Sequence, residues 1–389
     1  MKKLIAATLA LTLALSATAC SKSNKTSGGS DAEKATSAVT SAADTTAADT
    51  TAAANQLTTE AVKADLDSLM TEYELEGVAY LTQNGNVIYQ YTNGKDLNGA
   101  DFTTDTPMPV GSVSKQFCAA AILSLRDSGK LSLDDTLDKY FPEYTEGKKI
   151  NLKHLLSMRS GIADLNETDD MSAITLATPE DAVRAAVRGI IFGKPLDVNP
   201  GVGYNYCNAN YMLLSMIVEQ VSGQSYISYL RSTMLEPLGM QNTGSIDELQ
   251  SGSPAWAKGI KYAYPAGLAT GAGDIISTAT DMEKWMTGLK SGSVLSLDSY
   301  REMTTDYSPD DTPDSFGYGY GLVPNYKRGV GHEGNILIEE IAYSAFDYID
   351  EQDGVNLFLA GSDCMPADMG GLRSDTLDVI VGLLDGSSQ

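Results

Sequence analysis

Residues 111–125, GSVSKQFCAAAILSL, open a long apolar run with two serines and a lysine. The apolar part predicts a buried helix, in which a charged side chain needs a partner or a function. Ser112 and Lys115 are three positions apart and share one face of that helix. A serine hydroxyl attacks a carbonyl only when a base removes its proton, and a desolvated lysine can be that base. The segment is either a serine-capped helix with a solvated lysine or the start of a catalytic site.

Two further short motifs favour the catalytic interpretation. Tyr206-Cys207-Asn208 offers a tyrosine that could relay the serine proton to a leaving group, and an asparagine that could orient an amide. Residues 331–334, GHEG, precede a predicted strand, where glycine allows close approach to backbone N–H donors. Chance alone supplies about one S-x-x-K and about one Y-x-N in a chain of this length. The simple alternatives are a loop tyrosine before a helix and a histidine in a turn.

The elements around these motifs predict an α/β (α+β) fold. A helix is expected soon after Thr58, and VAYLTQ and VIYQYT flank Asn84-Gly85-Asn86 as a hairpin. Residues 131–290 are mostly helical in pattern, with Thr280 and Glu283 in capping-box spacing and GLATGAGD as a flexible lead-in to that helix. Two more strands, IAYSAFDYI and VNLFLAGS, and the helix TLDVIVGLLDG follow. The expected architecture is an antiparallel β-sheet flanked by helices, with an inserted all-α lobe.

Charge and the N-terminus bear on partners and location. The chain of 389 residues carries a formal net charge of −24, which disfavours binding to nucleic acid or to anionic lipid headgroups. Lys2 and Lys3 precede an apolar run that ends at Cys20 after small residues. This pattern predicts a signal peptide over 1–19, a lipidated Cys20 with a Ser/Thr/Ala-rich linker over 20–56, and a folded domain over 57–389. Plain secretion without a lipid anchor is the alternative.

Cysteine and histidine usage argues against a disulfide framework or a metal site. Beyond Cys20, only Cys118, Cys207 and Cys364 remain, an odd number without Cys-x-x-Cys spacing. The two histidines are too few for an ordinary zinc site. Cys118 and Cys207 are interpreted as small core residues, and we expect no metal and no cofactor.

Taken in order, S-x-x-K, Y-x-N and H-x-G resemble the motifs of the serine β-lactamase and penicillin-binding protein superfamily. The flanking segments GSVSKQF, LKHLLSMRSGI, NPGVGYNYCNANYMLL, EPLGM and GHEG resemble its class C branch. That branch includes class C β-lactamases, D-alanyl-D-alanine carboxypeptidases, D-aminopeptidases and related esterases. The similarity runs from about residue 60 to the end of the chain. It implies a sheet lobe and an α lobe with the active site in the cleft between them.

The resemblance also implies roles for the first two motifs. Ser112 would be the acylated nucleophile and Lys115 its proton partner. Tyr206 would act as general base or general acid, and Asn208 would bind both Lys115 and a substrate amide.

In the third motif, His332 would stand where the lactamases have lysine, facing the substrate carboxylate or assisting the tyrosine. Gly334 would allow close approach, and the Asn335 N–H would pair with the Ser112 N–H as an oxyanion hole. The third motif of class C β-lactamases is Lys-Thr-Gly, whereas this chain has a mostly neutral histidine followed by Glu333. This third motif is therefore expected to bind an anionic substrate less well than Lys-Thr-Gly does.

These features predict an extracytoplasmic, membrane-anchored serine hydrolase that forms an acyl-enzyme on Ser112. Its substrates would be D-amino-acid peptides, esters or β-lactam-like amides, including peptidoglycan-derived fragments. The alternatives are a catalytically weak binder or sensor of cell-wall peptides and a purely structural lipoprotein.

Overall fold

The computed structural model describes residues 56–96, 98–165, 169, 174–175, 177–250, 265, 267–308, 317–338 and 341–386. The predicted signal peptide, Cys20 and most of the predicted linker lie outside the described residues. None of the helices in the described ranges has the length and apolar character needed to cross a membrane.

In the described part of the chain, the α-helices in order are α1 (Thr59–Glu72), α2 (Ser114–Asp127), α3 (Leu152–Leu156), α4 (Glu180–Gly193), α5 (Asn208–Ser222), α6 (Tyr226–Leu230), α7 (Ile246–Gln250), α8 (Ala279–Ser291), α9 (Leu297–Thr304) and α10 (Pro366–Leu384). The strands are β1 (Gly77–Gln83), β2 (Asn86–Asn93), β3 (Met108–Pro109), β4 (Gly244–Ser245), β5 (Ile275–Ser277), β6 (Val323–Tyr326), β7 (Gly329–Ile338), β8 (Ile341–Asp350) and β9 (Val355–Ser362).

The main sheet is antiparallel and has six strands in the order β2-β1-β9-β8-β7-β6. A second sheet consists of the short strands β3, β5 and β4. Helices α1 and α10 cover one face of the main sheet, and the helical lobe with α2, α5 and α8 lies on the other. The predicted α/β architecture with a helical insertion is therefore confirmed.

Strand β9 shows why this sheet needs helices on both faces. Leu357 and Leu359 pack in the cluster under α1 and α10, whereas Phe358 and Ala360 belong to the cluster of the helical lobe. Successive side chains of a strand point to opposite faces, so a strand with four successive apolar residues, as in Leu357–Ala360, must be covered on both faces. The result is a sheet with one core on each side.

Both predicted hairpins are present. In the first, Asn84 and Gly85 adopt φ values of 52° and 77° between β1 and β2. Positive φ at two successive turn residues is the geometry that favours Asn-Gly in a two-residue hairpin. In the second, β8 and β9 pair around the turn that contains Gly354.

Three helical boundaries differ from expectation. Helix α2 begins at Ser114, so Ser112 lies in the 3₁₀ turn Gly111–Val113 that precedes it. The N-cap of α8 is Thr278, whose hydroxyl accepts the Asp281 N–H at 3.1 Å, so the predicted capping box at Thr280 is wrong. Helix α10 starts at Pro366, ten residues before the predicted apolar segment at Thr376, because proline is well suited to the first turn of a helix.

Candidate active site

Ser112 lies where the helical lobe meets strand β7 of the main sheet. It is 4% exposed and follows Gly111, whose φ is +53°. A Cβ on residue 111 would lie 2.6 Å from the backbone nitrogen of Asn335 in β7. Glycine is therefore required both for the left-handed backbone and for the close contact between this turn and the strand.

Lys115 is buried, with 0% of its surface exposed, directly beside Ser112. Its Nζ lies 2.9 Å from Ser112 Oγ, 2.8 Å from Asn208 Oδ1 and 2.7 Å from the Ala272 carbonyl oxygen. Burial lowers the pKa of Lys115 to about 7, although the nearby carboxylate of Asp164 opposes this shift. A substantial fraction of the side chain is therefore a neutral amine at neutral pH.

The partners of Lys115 determine how a neutral amine is oriented. The amide oxygen of Asn208 and the carbonyl oxygen of Ala272 are acceptors only, so each takes one of the two amine protons. The remaining lone pair of Nζ then faces the hydroxyl of Ser112. This arrangement suits a base that receives the serine proton.

Tyr206 lies in the loop immediately before α5, partly buried against the same group. The ring centroid of Tyr206 is 4.8 Å from Nζ of Lys115. Burial raises the pKa of Tyr206 well above its usual range, against a hydrogen bond with Ser112 that lowers it. The phenol is therefore protonated at neutral pH and suited to donating or relaying a proton.

Asp164 is a site residue that the sequence did not indicate. Its Oδ2 accepts hydrogen bonds from the backbone N–H and the Nδ2 of Asn208, at 2.9 and 3.0 Å. Its Oδ1 accepts the Ala209 N–H at 3.0 Å. The carboxylate thus binds the N-terminus of α5 and fixes the amide of Asn208, with the nitrogen toward Asp164 and the oxygen toward Lys115.

The turns formed by GLATGAGD also contribute, contrary to the expected flexible lead-in. Ala272 is buried, and its carbonyl oxygen is one of the three partners of Lys115. The buried Asp274 accepts the Gly271 N–H at 2.8 Å, which fixes the turn that presents this carbonyl.

His332 is held as a neutral ring. Its Nδ1 faces the carbonyl oxygen of Glu333, which can only accept, so Nδ1 carries the proton. Its Nε2 is then unprotonated and accepts from the Tyr318 hydroxyl at 3.1 Å. Burial, and secondarily the charge of Lys115, lower the pKa of His332 to about 3, in agreement with the neutral form. The ring lies beside Tyr206, with centroids 6.2 Å apart.

Glu333 does not face the cleft. It forms an ion pair with Arg373 of α10 and accepts a hydrogen bond from the Tyr326 hydroxyl at 3.3 Å. Its charge is therefore neutralised on the opposite face of the sheet, and it does not oppose a substrate directly.

Gly334 and Asn335 contribute through the backbone. A Cβ on residue 334 would collide with the carbonyl oxygen of Val110 and lie 2.8 Å from the Ser112 nitrogen. The side chain of Asn335 instead accepts a hydrogen bond from Ser344 at 2.8 Å. A Cβ on residue 334 would approach the Ser112 nitrogen, and one on residue 111 would approach the Asn335 nitrogen, so both backbone nitrogens lie at this contact. Their pairing as an oxyanion hole stays a prediction.

Other polar groups of α2 have structural partners. Ser114 Oγ accepts the Ile275 N–H at 2.9 Å and so connects the helix to β5. Gln116 donates from Nε2 to Asp347 Oδ1 at 2.7 Å and accepts from Trp285 Nε1 at 3.1 Å.

Cys118 and Cys207 are fully buried, as the interpretation as core residues requires. Across the described ranges, no group of histidine, cysteine or acidic side chains is arranged to hold a metal ion.

Comparison with known families agrees with this geometry. The family model described as Beta-lactamase matches residues 62–359. The chain belongs to the Beta-lactamase family. The predicted membership of the serine β-lactamase and penicillin-binding protein superfamily is thus confirmed.

Within the Beta-lactamase family, the chain is 30% identical over 285 residues to a Bacillus subtilis (strain 168) protein named as a penicillin-binding protein, PbpX, covering 69% of this chain and 68% of that one. It is 26% identical to the teichoic acid D-alanine hydrolase of Staphylococcus aureus (strain MRSA252), covering 59% of this chain and only 57% of that relative. The D-amino acid amidase of Ochrobactrum anthropi SV3, complexed with L-phenylalanine, has a similar fold, with a TM-score of 0.69, 23% identity and coverage of 84% and 99%.

Proposed function

We propose that this protein is a serine hydrolase that works through an acyl-enzyme on Ser112. The observation that carries the proposal is the environment of Lys115. Two acceptor-only oxygens, from Asn208 and Ala272, bind its amine and leave the lone pair facing the serine. A buried lysine needs a compensating role, and here its position matches that of a general base.

In the proposed reaction, Ser112 Oγ attacks the substrate carbonyl carbon while its proton moves to Lys115 Nζ. The carbonyl oxygen becomes an oxyanion between the N–H groups of Ser112 and Asn335. When the intermediate collapses, Tyr206 donates its phenolic proton to the leaving nitrogen or oxygen, and Lys115 returns its proton to Tyr206. Water then attacks the acyl carbon and gives a proton to the same pair. The bond between the acyl carbon and Ser112 Oγ breaks, the acid leaves, and the proton passes from the pair to Ser112 Oγ, which regains its hydroxyl.

We propose amides or esters of D-amino acids as the substrate class. Support comes from the Beta-lactamase family and from the relative named teichoic acid D-alanine hydrolase. The N-terminal sequence with Cys20 supports a lipid-anchored protein outside the cytoplasm. Radioactive fatty-acid labelling of wild type and Cys20→Ser tests the anchor, and equal labelling would refute it.

The catalytic proposal is tested with a fluorophosphonate probe and a p-nitrophenyl D-alanyl ester. Wild type should take one label and release nitrophenol, whereas Ser112→Ala should do neither. Ser128→Ala, an exposed serine at the other end of α2, is the matched control and should behave as wild type. Labelling that persists in Ser112→Ala would refute the nucleophile. Labelling without turnover of any ester or amide would favour the binder or sensor.

A further inference from the structure

The cleft-facing side of β7 is formed by three residues: His332, Gly334 and Ile336. We call these residues the β7 wall. The alternate residues Glu333 and Asn335 point to the opposite face, where they meet Arg373 and Ser344. Because strand residues alternate between faces, a ligand in the cleft meets the β7 wall and not the intervening side chains.

The side chains of the β7 wall have no donor for an anion. Both ring nitrogens of His332 are engaged, Nδ1–H by the Glu333 carbonyl and Nε2 by the Tyr318 hydroxyl. Gly334 has no side chain, and its Cα lies against the backbone of the turn that carries Ser112. Ile336 is apolar and packs against the core of the helical lobe.

The neighbouring Lys115 is also engaged. Its Nζ has three protein partners between 2.7 and 2.9 Å, and its surface is fully buried. An ammonium has three protons, so even the charged form has none free for a substrate. A carboxylate beside the scissile bond would lose its hydrogen bonds with water on entering the cleft. Neither the β7 wall nor Lys115 would offer it an N–H in return, so its binding would be unfavourable.

A substrate that acylates Ser112 must place its carbonyl oxygen between the N–H groups of Ser112 and Asn335. Since Asn335 belongs to β7, one arm of that substrate runs along the β7 wall. We propose that the site selects amide and ester substrates without a carboxylate directly next to the scissile bond. This inference rests on the proposed acyl-serine function and names its substrate class: uncharged or cationic acyl donors rather than peptides that end in a free carboxylate.

The test uses two acetyl-D-alanyl thioesters whose leaving groups are mercaptoacetate and mercaptoacetamide, one charged and one neutral. Thiol release gives kcat/KM for each, and each value is divided by the rate constant for uncatalysed hydrolysis of the same thioester, which corrects for the different acidities of the two thiols. Wild type should favour the carboxamide by about tenfold or more, because an unpaired polar group is strongly rejected in a desolvated site. Equal rates, or a preference for the carboxylate, would overturn the inference.

Two variants locate the selection at His332. His332→Lys places a cation in the β7 wall and should reduce or reverse the preference, whereas the neutral His332→Gln should retain it. A preference that is unchanged in folded His332→Lys would overturn the assignment to this residue.

The wild-type ratio is also measured at about 1 M salt, where the Debye length is about 3 Å. The formal net charge of −24 repels anions at long range, and that effect is screened under these conditions. If the preference for the carboxamide persists at high salt, it arises from groups in the site. If it disappears, the proposed selection by the β7 wall is overturned. Fluorophosphonate labelling in the same samples separates the two proposals, because loss of labelling refutes the acyl-serine function, whereas labelling with equal thioester rates refutes only the selection.

Discussion

The rate at which Ser112 is acylated should depend on the protonation of Lys115. With a pKa of about 7, about half of the side chain is neutral at pH 7, whereas an ordinary lysine at 10.5 would be only about 0.03% neutral. The available base is thus about a thousandfold more abundant than on a solvated lysine. The equivalent free energy is about 5 kcal/mol, which is the net result of burial, which disfavours the ammonium, and of nearby groups such as Asp164, which favour it.

The assay is the second-order rate constant for labelling by an uncharged fluorophosphonate, between about pH 5 and about pH 9. Lowering the pH protonates Lys115, so the rate should fall about tenfold per unit below about pH 7 and be level above it. His332, with a pKa of about 3, stays neutral throughout. The neighbouring thiols Cys118 and Cys207 have pKa values raised by burial and stay protonated over most of this range.

Asp347 complicates the profile, because burial raises its pKa to about 7 as well. Its carboxylate contacts Gln116 and the His332 N–H, not Lys115. Asp164→Asn separates the two groups. It removes a charge that raises the pKa of Lys115, so the rising limb should move to lower pH. A flat profile in wild type, or a limb unmoved in Asp164→Asn, would refute the role of Lys115.

Three further substitutions probe other parts of the site. Tyr206→Phe removes the phenolic proton and should slow turnover of a p-nitrophenyl D-alanyl ester by about a hundredfold. Gly334→Ala places a Cβ against the Val110 carbonyl and displaces an oxyanion donor, so labelling should slow by about a hundredfold or more. Ser114→Ala leaves the buried Ile275 N–H without its partner and should lower the free energy of unfolding in urea by about 1–3 kcal/mol.

Each of these results has its own control. If Tyr206→Phe and Gly334→Ala have the near-UV circular dichroism spectrum of the wild type, they are folded, and their lower activity is due to the site itself. An unchanged rate in either variant would contradict the role of the residue that was substituted. For Ser114→Ala, the exposed Ser128→Ala is the reference, and equal stability of the two variants would contradict the contribution of the hydrogen bond.

Local sequence was sufficient wherever a short segment determines its own geometry. Asn84 and Gly85 specify the first hairpin because both tolerate positive φ. The start of α8 was misplaced by two residues because Thr278-x-x-Asp281 and Thr280-x-x-Glu283 are overlapping capping patterns, and only the fold selects between them.

Other features depend on contacts between distant segments. Asp164 reaches Asn208 across 44 residues, and nothing in its own neighbourhood indicates that contact. Strand alternation alone predicts that His332 and Glu333 lie on opposite faces of the sheet. It does not predict that Glu333 forms an ion pair with Arg373, which lies 40 residues later in the chain. Likewise, Ala272 binds Lys115 through its backbone carbonyl oxygen, and since every residue has such an oxygen, the residue type gave no signal for this contact.

The hydrogen bonds of Lys115 also have a consequence for how the molecule assembles. They join positions 93 and 157 residues apart in the chain, to Asn208 and Ala272. Long-range closures of this kind cost chain entropy and form slowly compared with single helices. During refolding, helical circular dichroism should therefore recover before the capacity to react with a fluorophosphonate. Enzymatic competence would then mark the completion of folding, and a partly folded chain would be chemically silent.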